Sequence, residues 1–291
     1  MIAETSRPVF RVAGRRRVKD RAFTVFLWAC AIMAMIPLAF ITFYVVSRGY
    51  RALSVSFFTK VPAGPLDPQA GGIAQAFIGS GLIVGLAALF SIPLGISTAV
   101  YLAEYGRGRF AGAVRLVAEV LLSTPSIVAG AFIWAVVVIA MKRFSALAGA
   151  LSLTVLMWPV IARATEEVLR LVPQELREAA LALGVPRWKV IVRVVVPTAG
   201  AGIVTAVMLA VARGLGETAP ILLTALGNDF INTNPLQPTD AVPLRVYAYA
   251  RTPVEALHSF AWGGALMLLV TVLVLSIGAR ALSSRQQKRI A

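Results

Sequence analysis

An arginine and a glutamate interrupt one of the longest apolar stretches of this sequence. Arg213 and Glu217 stand four residues apart in the run ARGLGETAPILLTALG, which carries no other charged side chain. A guanidinium offers a planar fork of N–H donors that suits a tetrahedral oxyanion, and such contacts strengthen where water is excluded. In a helix both side chains lie on one face, where Glu217 can hold the guanidinium until an anion binds. The pair therefore either binds an oxyanion in passage or only neutralises its own two charges.

Motifs for covalent, metal-dependent or nucleotide chemistry are absent from the sequence. It contains no GxxxxGK[ST] loop, no HExxH pair and no GxSxG nucleophile elbow. The run GLGETA formally fits GxGxx[GA], but no strand precedes it, so a dinucleotide site is not predicted. Cys30 and His258 are the only residues of their types, and His258 is expected to be a solvated loop residue. We therefore predict no catalytic residue and no metal site.

Membrane-spanning helices are the elements that must position these residues. Of the 291 residues, 58% are hydrophobic and 14% are charged, and the mean hydropathy is +0.81, so the chain has too little polar surface for a soluble globule. The apolar residues gather in six stretches, and each reaches the length of about 20 residues that crosses about 30 Å of hydrocarbon. The predicted spans are residues 23–46, 75–102, 117–141, 144–162, 198–226 and 260–281.

The positions of Lys and Arg predict the side of the membrane on which each loop lies. Of the 28 basic residues, 20 fall in segments on the side of the two termini and seven on the opposite side, while Arg213 lies within span five. Because basic loops remain in the cytoplasm, both termini are predicted to be cytoplasmic in a bacterial inner membrane. The basic residues are not grouped with aromatic residues on one face, so the net charge of +15 does not predict nucleic-acid binding.

The segment EAALALGVPRWKVIVRVVVP, residues 178–197, lies in the predicted inner loop between spans four and five. It resembles the EAA loop of binding-protein-dependent ABC importer permeases, whose pattern is E-A-A, three residues, Gly, nine residues and I-x-L-P. The matching positions are Glu178, Ala179, Ala180, Gly184 and Pro197. The spacing predicts a helix, a turn at Gly184 and a second helix, with Pro197 at the start of span five. The resemblance implies that this loop docks on an ATPase subunit; the alternative is an amphipathic surface helix.

Most of residues 71–230 resembles the PstA family of phosphate-importer permeases. The similarity lies in the R-x-x-G-E-T-A-P run, in TPSIVAG at 124–130 and in ARATEEVLRLVP at 162–173. The resemblance implies assembly with a PstC-like second permease subunit, two PstB-like ATPase subunits and a periplasmic PstS-like phosphate-binding protein. ATP and Mg²⁺ would be used by the partner ATPase, and no cofactor is expected on this chain.

Arg163 matches the arginine of the AR-x-TEE pattern in that family. Three roles remain open for it from the sequence: it guides the anion out of the passage, it pairs with Glu166 or Glu167, or it only anchors the inner end of span four by its charge.

Composition and resemblance together predict an all-α polytopic integral membrane protein with six transmembrane helices and the type I ABC importer permease (MetI-like) fold. The expected organisation is a basic cytoplasmic tail (1–22), a first span (23–46), a permease core of five spans (71–282) with the coupling loop (175–197), and a basic cytoplasmic tail (283–291). The expected function is that of a non-catalytic subunit that forms half of a phosphate pathway. Two alternatives remain: an ABC permease for another oxyanion or small solute, and a channel or membrane-embedded enzyme that needs no ATPase.

Overall fold

All regular structure in the described part of the chain is helical. The computed structural model describes residues 14–64, 67 and 70–290, and no strand occurs among them. The predicted all-α class is therefore confirmed. The helices are α1 (Gly14–Gly49), α2 (Val55–Thr59), α3 (Ala74–Val100), α4 (Gly108–Ser123), α5 (Ser126–Ile133), α6 (Ile139–Met141), α7 (Ala146–Arg170), α8 (Gln174–Ala182), α9 (Arg187–Val190), α10 (Val196–Thr198), α11 (Gly200–Gly216), α12 (Ala219–Thr224), α13 (Val242–Arg251) and α14 (Glu255–Ile290). Turns of π-helix at Tyr101–Tyr105, Trp134–Val138 and Ile191–Val195 extend α3, join α5 to α6 and join α9 to α10.

Four helical stretches are continuous and apolar enough to cross a membrane. They are Lys19–Ala52, Ala74–Tyr105, Ala146–Arg170 and Glu255–Ala281. The other two predicted spans are each divided into two helices that meet at a sharp bend. The bend is 108° between Gly108–Ser123 and Ser126–Met141, and 70° between Arg187–Thr198 and Gly200–Gly216. Six spans result when each bent pair is taken as one passage.

Proline explains the first bend but not the second. Thr124 is extended, with φ −72° and ψ 133°, which is the conformation that a following proline favours, and α5 begins directly after Pro125. Pro197 was expected to begin span five, and that expectation is wrong: it lies inside the continuous helix Arg187–Thr198, and the break falls at Ala199. The preceding π-turn changes the backbone pairing where a proline ring would otherwise clash with the carbonyl four residues earlier.

The contact between α3 and α7 forms the centre of the core. Its buried apolar side chains include Ile83 of α3 and Leu153 and Ile161 of α7. At Gly95, a Cβ atom would lie 2.7 Å from Cβ of Ile161, so only glycine lets the two helices approach this closely. Small residues at crossings are typical of membrane helices, because close packing replaces the hydrophobic effect as the force between them.

Gly81 and Gly85 form the only GxxxG pair that the sequence places on the second span, but they do not lie in this contact. A Cβ atom at either position would meet nothing within 4 Å. The close approach that glycine permits is therefore used at Gly95, two turns or more further along the same helix.

The N-terminal residues form a compact unit of their own. The chain divides into a unit that ends at Ser47 and a larger unit from Arg48 onward. The first unit contains most of α1, a helix of 36 residues with Pro37 in its interior. The predicted tail 1–22 is helical from Gly14, and α14 continues to Ile290 through the predicted tail 283–291. Residues 1–13 and 291 of these tails lie outside the described residues.

We expect Gly95→Ala to destabilise the folded protein by about 1–3 kcal/mol, because the new methyl group forces α3 and α7 apart. Gly85→Ala is the matched control on the same helix: it meets open space, and alanine favours the helix over glycine by about 0.5–1 kcal/mol. The two midpoints of thermal unfolding in detergent should move in opposite directions. Equal shifts would contradict the contact.

Candidate functional site

The two charged residues of span five lie at a break between helices. Arg213 is in the last turn of α11, and Glu217 follows that helix as an extended residue, with ψ 128°. Nε of Arg213 is 3.5 Å from Oε1 of Glu217, and the side chains are 43% and 16% exposed. The structure brings the pair together, but not on one continuous helical face. Because the contact between them is long, most N–H donors of the Arg213 guanidinium do not bond Glu217.

The exposed position of Arg213 restricts what it can face. A charged side chain at the centre of a span costs about 2.5–3.5 kcal/mol when it faces lipid. The C-terminus of α11 offsets part of that cost, because the helix dipole is negative there. Pro220 occupies the first turn of α12, where its missing N–H removes no hydrogen bond. Arg213 therefore lies at a point where the backbone is interrupted and the side chain needs protein or water beside it.

Three arginines surround one buried carboxylate near the C-terminal end of α7. Glu166 is 1% exposed, and it accepts hydrogen bonds from Nε of Arg115 at 2.9 Å, Nη1 of Arg163 at 3.1 Å and Nη2 of Arg170 at 2.6 Å. Arg163 also lies 3.3 Å from Glu119 of α4. Among the roles considered for Arg163, the structure places it in an ion pair with Glu166. Charge-assisted bonds of this kind are about twice as strong as neutral ones.

Sequence reasoning missed two members of the ion cluster around Glu166, namely Arg115 and Glu119. Both are on α4, whose polar residues recur at helical spacing, and that pattern was the available signal. The partner across the bundle could not be read from one sequence, because Arg115 and Glu166 are far apart in the chain.

The predicted coupling segment forms a helix, a turn and a second helix. Glu178 and Ala179 are exposed on α8, and Ala180 is half-buried. Gly184 has φ +75°, a left-handed conformation that side chains with a Cβ resist, and nothing lies within 4 Å of a Cβ placed there. The turn therefore requires glycine for its backbone conformation and not for lack of space.

Arg177 and Arg187 attach this segment to the π-turn that follows α3. Arg177 donates from Nη2 to Oε1 of Glu104 at 2.9 Å and to the carbonyl of Leu169 at 2.8 Å. Arg187 donates to the carbonyl of Glu104, and its guanidinium lies 5.0 Å from the centre of the Tyr105 ring. Both coupling helices are thus bonded to the π-turn at the end of span two. The sequence carried no signal for these contacts.

A second buried ion pair joins α13 to the loop that precedes it. Arg245 of α13 donates from Nε to Oδ2 of Asp240 at 2.6 Å, and Gln75 of α3 donates to the same oxygen at 3.1 Å. Burial raises the pKa of Asp240, while the charge of Arg245 opposes that rise. The pair lies at the wall of a cavity of about 620 Å³ between α12, α13 and the loop that joins them. His258, expected to be solvated, is part-buried and lies 2.9 Å from the carbonyl of Thr252.

The chain is similar in sequence to proteins of one transport family. Residues 91–288 match the family described as "Binding-protein-dependent transport system inner membrane component". The chain is 42% identical to the phosphate transport system permease protein PstA of Xylella fastidiosa (strain Temecula1), over 94% of this chain and 95% of that protein. It is also 42% identical to PstA 1 of Mycobacterium tuberculosis (strain CDC 1551), over 91% of this chain and 88% of that protein.

A solved structure shares the fold. The chain matches a chain of a bacterial alginate ABC transporter, in complex with a periplasmic protein that carries an alginate pentasaccharide, with a TM-score of 0.66. The match covers 94% of this chain and 97% of the other at 14% sequence identity, so it bears on the fold alone. The predicted fold of ABC importer permeases is therefore confirmed.

We expect Arg245→Gln to destabilise the protein by about 3–5 kcal/mol, because it leaves Asp240 buried without its cation. Arg251→Gln is the matched control on the same helix, since Arg251 is exposed and bonds only the hydroxyl of Tyr247 among the described residues; it should change stability by less than about 0.5 kcal/mol. Thermal unfolding of the purified protein measures both. If the two variants unfolded at the same temperature, the ion pair of Arg245 with Asp240 would not contribute to the stability of the protein.

Proposed function

The chain belongs to the PstA family of binding-protein-dependent inner-membrane transport components, and we propose on that basis that it carries inorganic phosphate through half of a translocation pathway. It is a multi-pass inner-membrane permease subunit of an ABC importer and is not itself an enzyme. ATP hydrolysis belongs to a partner ATPase, and a substrate-binding protein delivers the cargo.

The half-exposed guanidinium of Arg213 carries the proposal that the cargo is an oxyanion. This cation lies in an apolar span, and its contact with Glu217 is long. The N–H donors that do not bond Glu217 can bond the oxygens of a tetrahedral phosphate. Glu217 holds the guanidinium when the passage is empty and is displaced when phosphate binds, or accepts a hydrogen bond from a protonated phosphate oxygen. Because the cost of facing lipid is high, the side chain must face a partner subunit or a water-filled passage.

The proposed partners follow from that exposed face and from the relatives. A PstC-like second permease subunit covers the pathway side of α11, two PstB-like ATPase subunits bind the coupling segments, and a PstS-like phosphate-binding protein docks on the outer side. Both termini are proposed to be cytoplasmic, since 20 of 28 basic residues then lie on the inner side. ATP and Mg²⁺ are bound by the ATPase subunits.

Arg163 acts in this proposal at the inner end of the pathway. Its guanidinium is shared between Glu166 and Glu119, which belong to α7 and α4, so the ion cluster ties these two helices together. Phosphate that reaches the inner end meets an excess of arginines over carboxylates, and both Arg163 and Arg115 link the two helices. Opening of this cluster releases the anion to the cytoplasm.

Coupling is a shift in the populations of two conformations and not a chemical step in this chain. We call the coupling segment formed by α8, the turn at Gly184 and α9 the elbow. It faces the ATPase with Glu178, Ala179, Ala180 and Gly184, and closure of the ATPase on ATP moves the elbow. The elbow is bonded through Arg177 to Glu104 of span two and follows directly on α7. Its movement therefore reaches α3 and α7, the two helices at the centre of the core.

Radiolabelled phosphate uptake by the reconstituted complex tests the cargo and the role of Arg213. We expect Arg213→Gln to lower uptake at least tenfold, because one charged hydrogen bond contributes about 1.5–3 kcal/mol. Arg213→Lys should recover only part of the loss, since an ammonium lacks the planar fork. Arg109→Gln removes an exposed arginine elsewhere and should leave uptake unchanged. Undiminished uptake in Arg213→Gln would exclude the anion-binding role. Competition by sulfate equal to that by phosphate would indicate a different oxyanion as cargo.

Substitution of Gly184 tests the elbow. Gly184→Val forces a β-branched residue into a left-handed conformation at a cost of about 1–2 kcal/mol, so we expect the elbow to rearrange and phosphate moved per ATP hydrolysed to fall severalfold. Gly184→Asn is the control, because asparagine tolerates this conformation, and it should keep most of the coupling. Parallel measurement of ATPase rate and uptake decides the matter: normal coupling in Gly184→Val would contradict the elbow mechanism.

A further inference from the structure

A basic groove lies where the inner end of span two meets the coupling helices. Its volume is about 430 Å³, and it is bordered by the π-turn that ends span two, by the end of α7, and by α8 and α9. The charged residues that line it are four arginines and one glutamate: Arg107, Arg170, Arg177, Arg187 and Glu104. Of these five residues, only Arg170 also belongs to the Glu166 cluster, and none belongs to the Asp240–Arg245 pair or to the Arg213–Glu217 break.

Glu104 does not neutralise the groove, because it is already paired. Its side chain is 7% exposed and accepts from Nη2 of Arg177 at 2.9 Å and from Nε of Arg177 at 3.2 Å. Arg177 also donates to the carbonyls of Leu169 and Val172, so its own nitrogens are occupied by the protein. The Arg177–Glu104 pair is therefore part of the framework, and the other three arginines set the charge that a ligand would meet.

Those three arginines have donors to spare. The side chain of Arg107 makes no hydrogen bond or ion pair with any residue in the described ranges. Arg170 uses Nη2 for Glu166, and Arg187 uses Nη2 for the carbonyl of Glu104, which leaves Nε and Nη1 of each without a partner among the same residues. Helix α4, 16 residues long, begins directly after Arg107 with no side chain capping its N-terminus. Uncapped N–H groups and the positive end of the helix dipole add to the attraction for an anion.

We propose that this groove binds a phosphate-type oxyanion, supplied either by the headgroup of an anionic phospholipid or by inorganic phosphate in the cytoplasm. Arginine donors around a pocket of this size match phosphate oxygens, and such contacts are charge-assisted. Both sources are available at this place, since the groove lies at the inner end of a span, where anionic headgroups and cytoplasm meet. An anion held between Arg107, Arg170 and Arg187 connects the ends of span two and α7 to the second coupling helix.

The consequence is control over the elbow. A bound anion reduces the repulsion among the arginines and favours the arrangement in which α9 stays against the π-turn at Tyr101–Tyr105. Loss of the anion frees the elbow relative to span two, so occupancy changes how strongly ATP hydrolysis is transmitted. This regulatory consequence rests on the proposed transport function, whereas the binding site itself does not.

The test uses the purified complex with its partner subunits in nanodiscs, and compares Arg107→Gln with Arg109→Gln. Both arginines are exposed and lie two residues apart, but only Arg107 lines the groove. Arg107→Gln removes no contact with the described residues, so it should fold normally. Arg187→Gln serves as a second variant. All are made on an Arg213→Gln background, which removes the proposed oxyanion site beside Glu217.

Two arms separate the sources of the anion. In discs of phosphatidylcholine alone, binding of radiolabelled inorganic phosphate is titrated without the receptor protein. In discs that contain phosphatidylglycerol, native mass spectrometry counts the anionic lipids that remain on the complex. We expect Arg107→Gln and Arg187→Gln to weaken binding at least tenfold in one arm, while Arg109→Gln keeps the parent affinity.

A loss confined to the lipid arm identifies a headgroup as the ligand, and a loss confined to the phosphate arm identifies the free ion. The proposal is overturned if parent, Arg107→Gln and Arg109→Gln bind alike in both arms, or if the two substitutions weaken binding equally, which would indicate general surface charge. Neither arm measures transport. Failure of the groove would therefore leave the proposed function standing, and a different cargo would leave the groove standing.

Discussion

The cost of an uncompensated charge in a low-dielectric surrounding governs the arrangement of this chain. Buried Asp240, just before α13, is bonded by Arg245 and Gln75, and buried Glu166, near the C-terminal end of α7, is bonded by three arginines. Both carboxylates are almost fully buried and need several donors each. The Arg213–Glu217 pair between them differs, because its contact is long and its arginine half-exposed. By that contrast the first two clusters hold the fold together, and the Glu166 cluster is also proposed to open when the anion leaves. The Arg213–Glu217 pair is proposed to bind the anion.

Two of the predicted spans are interrupted. Span five stops between Arg213 and Glu217, and span three bends by 108° at Thr124 and Pro125. In hydrocarbon an interrupted helix leaves backbone groups without partners, so such breaks are tolerated where they face protein or a water-filled cavity. A bent span and a broken span in one chain therefore favour a passage on the side of the bundle where α5, α11 and α12 lie.

The proposed coupling segment is joined to the core at two places. The coupling segment follows directly on α7, and Arg177 and Arg187 bond it to the end of span two. α3 and α7 pack closely at Gly95 and Ile161. In the proposed coupling mechanism, a shift of the elbow therefore moves both helices together. The basic groove lies between the same elements, the end of span two and the elbow. An anion bound there, as proposed, would stabilise the contact between them.

The sequence by itself determined the membrane environment, the six apolar stretches, the family and the helix–Gly–helix pattern within 178–197, because hydropathy, spacing and glycine requirements are local properties. It also identified Arg213 and Glu217 by their charge in an apolar run. Only the tertiary structure decided that span five breaks at Glu217, that Pro197 lies within a helix, and that Arg163 shares Glu166 with Arg115 and Arg170. These contacts join residues from separate helices, and their geometry depends on how the helices pack, which no local pattern contains.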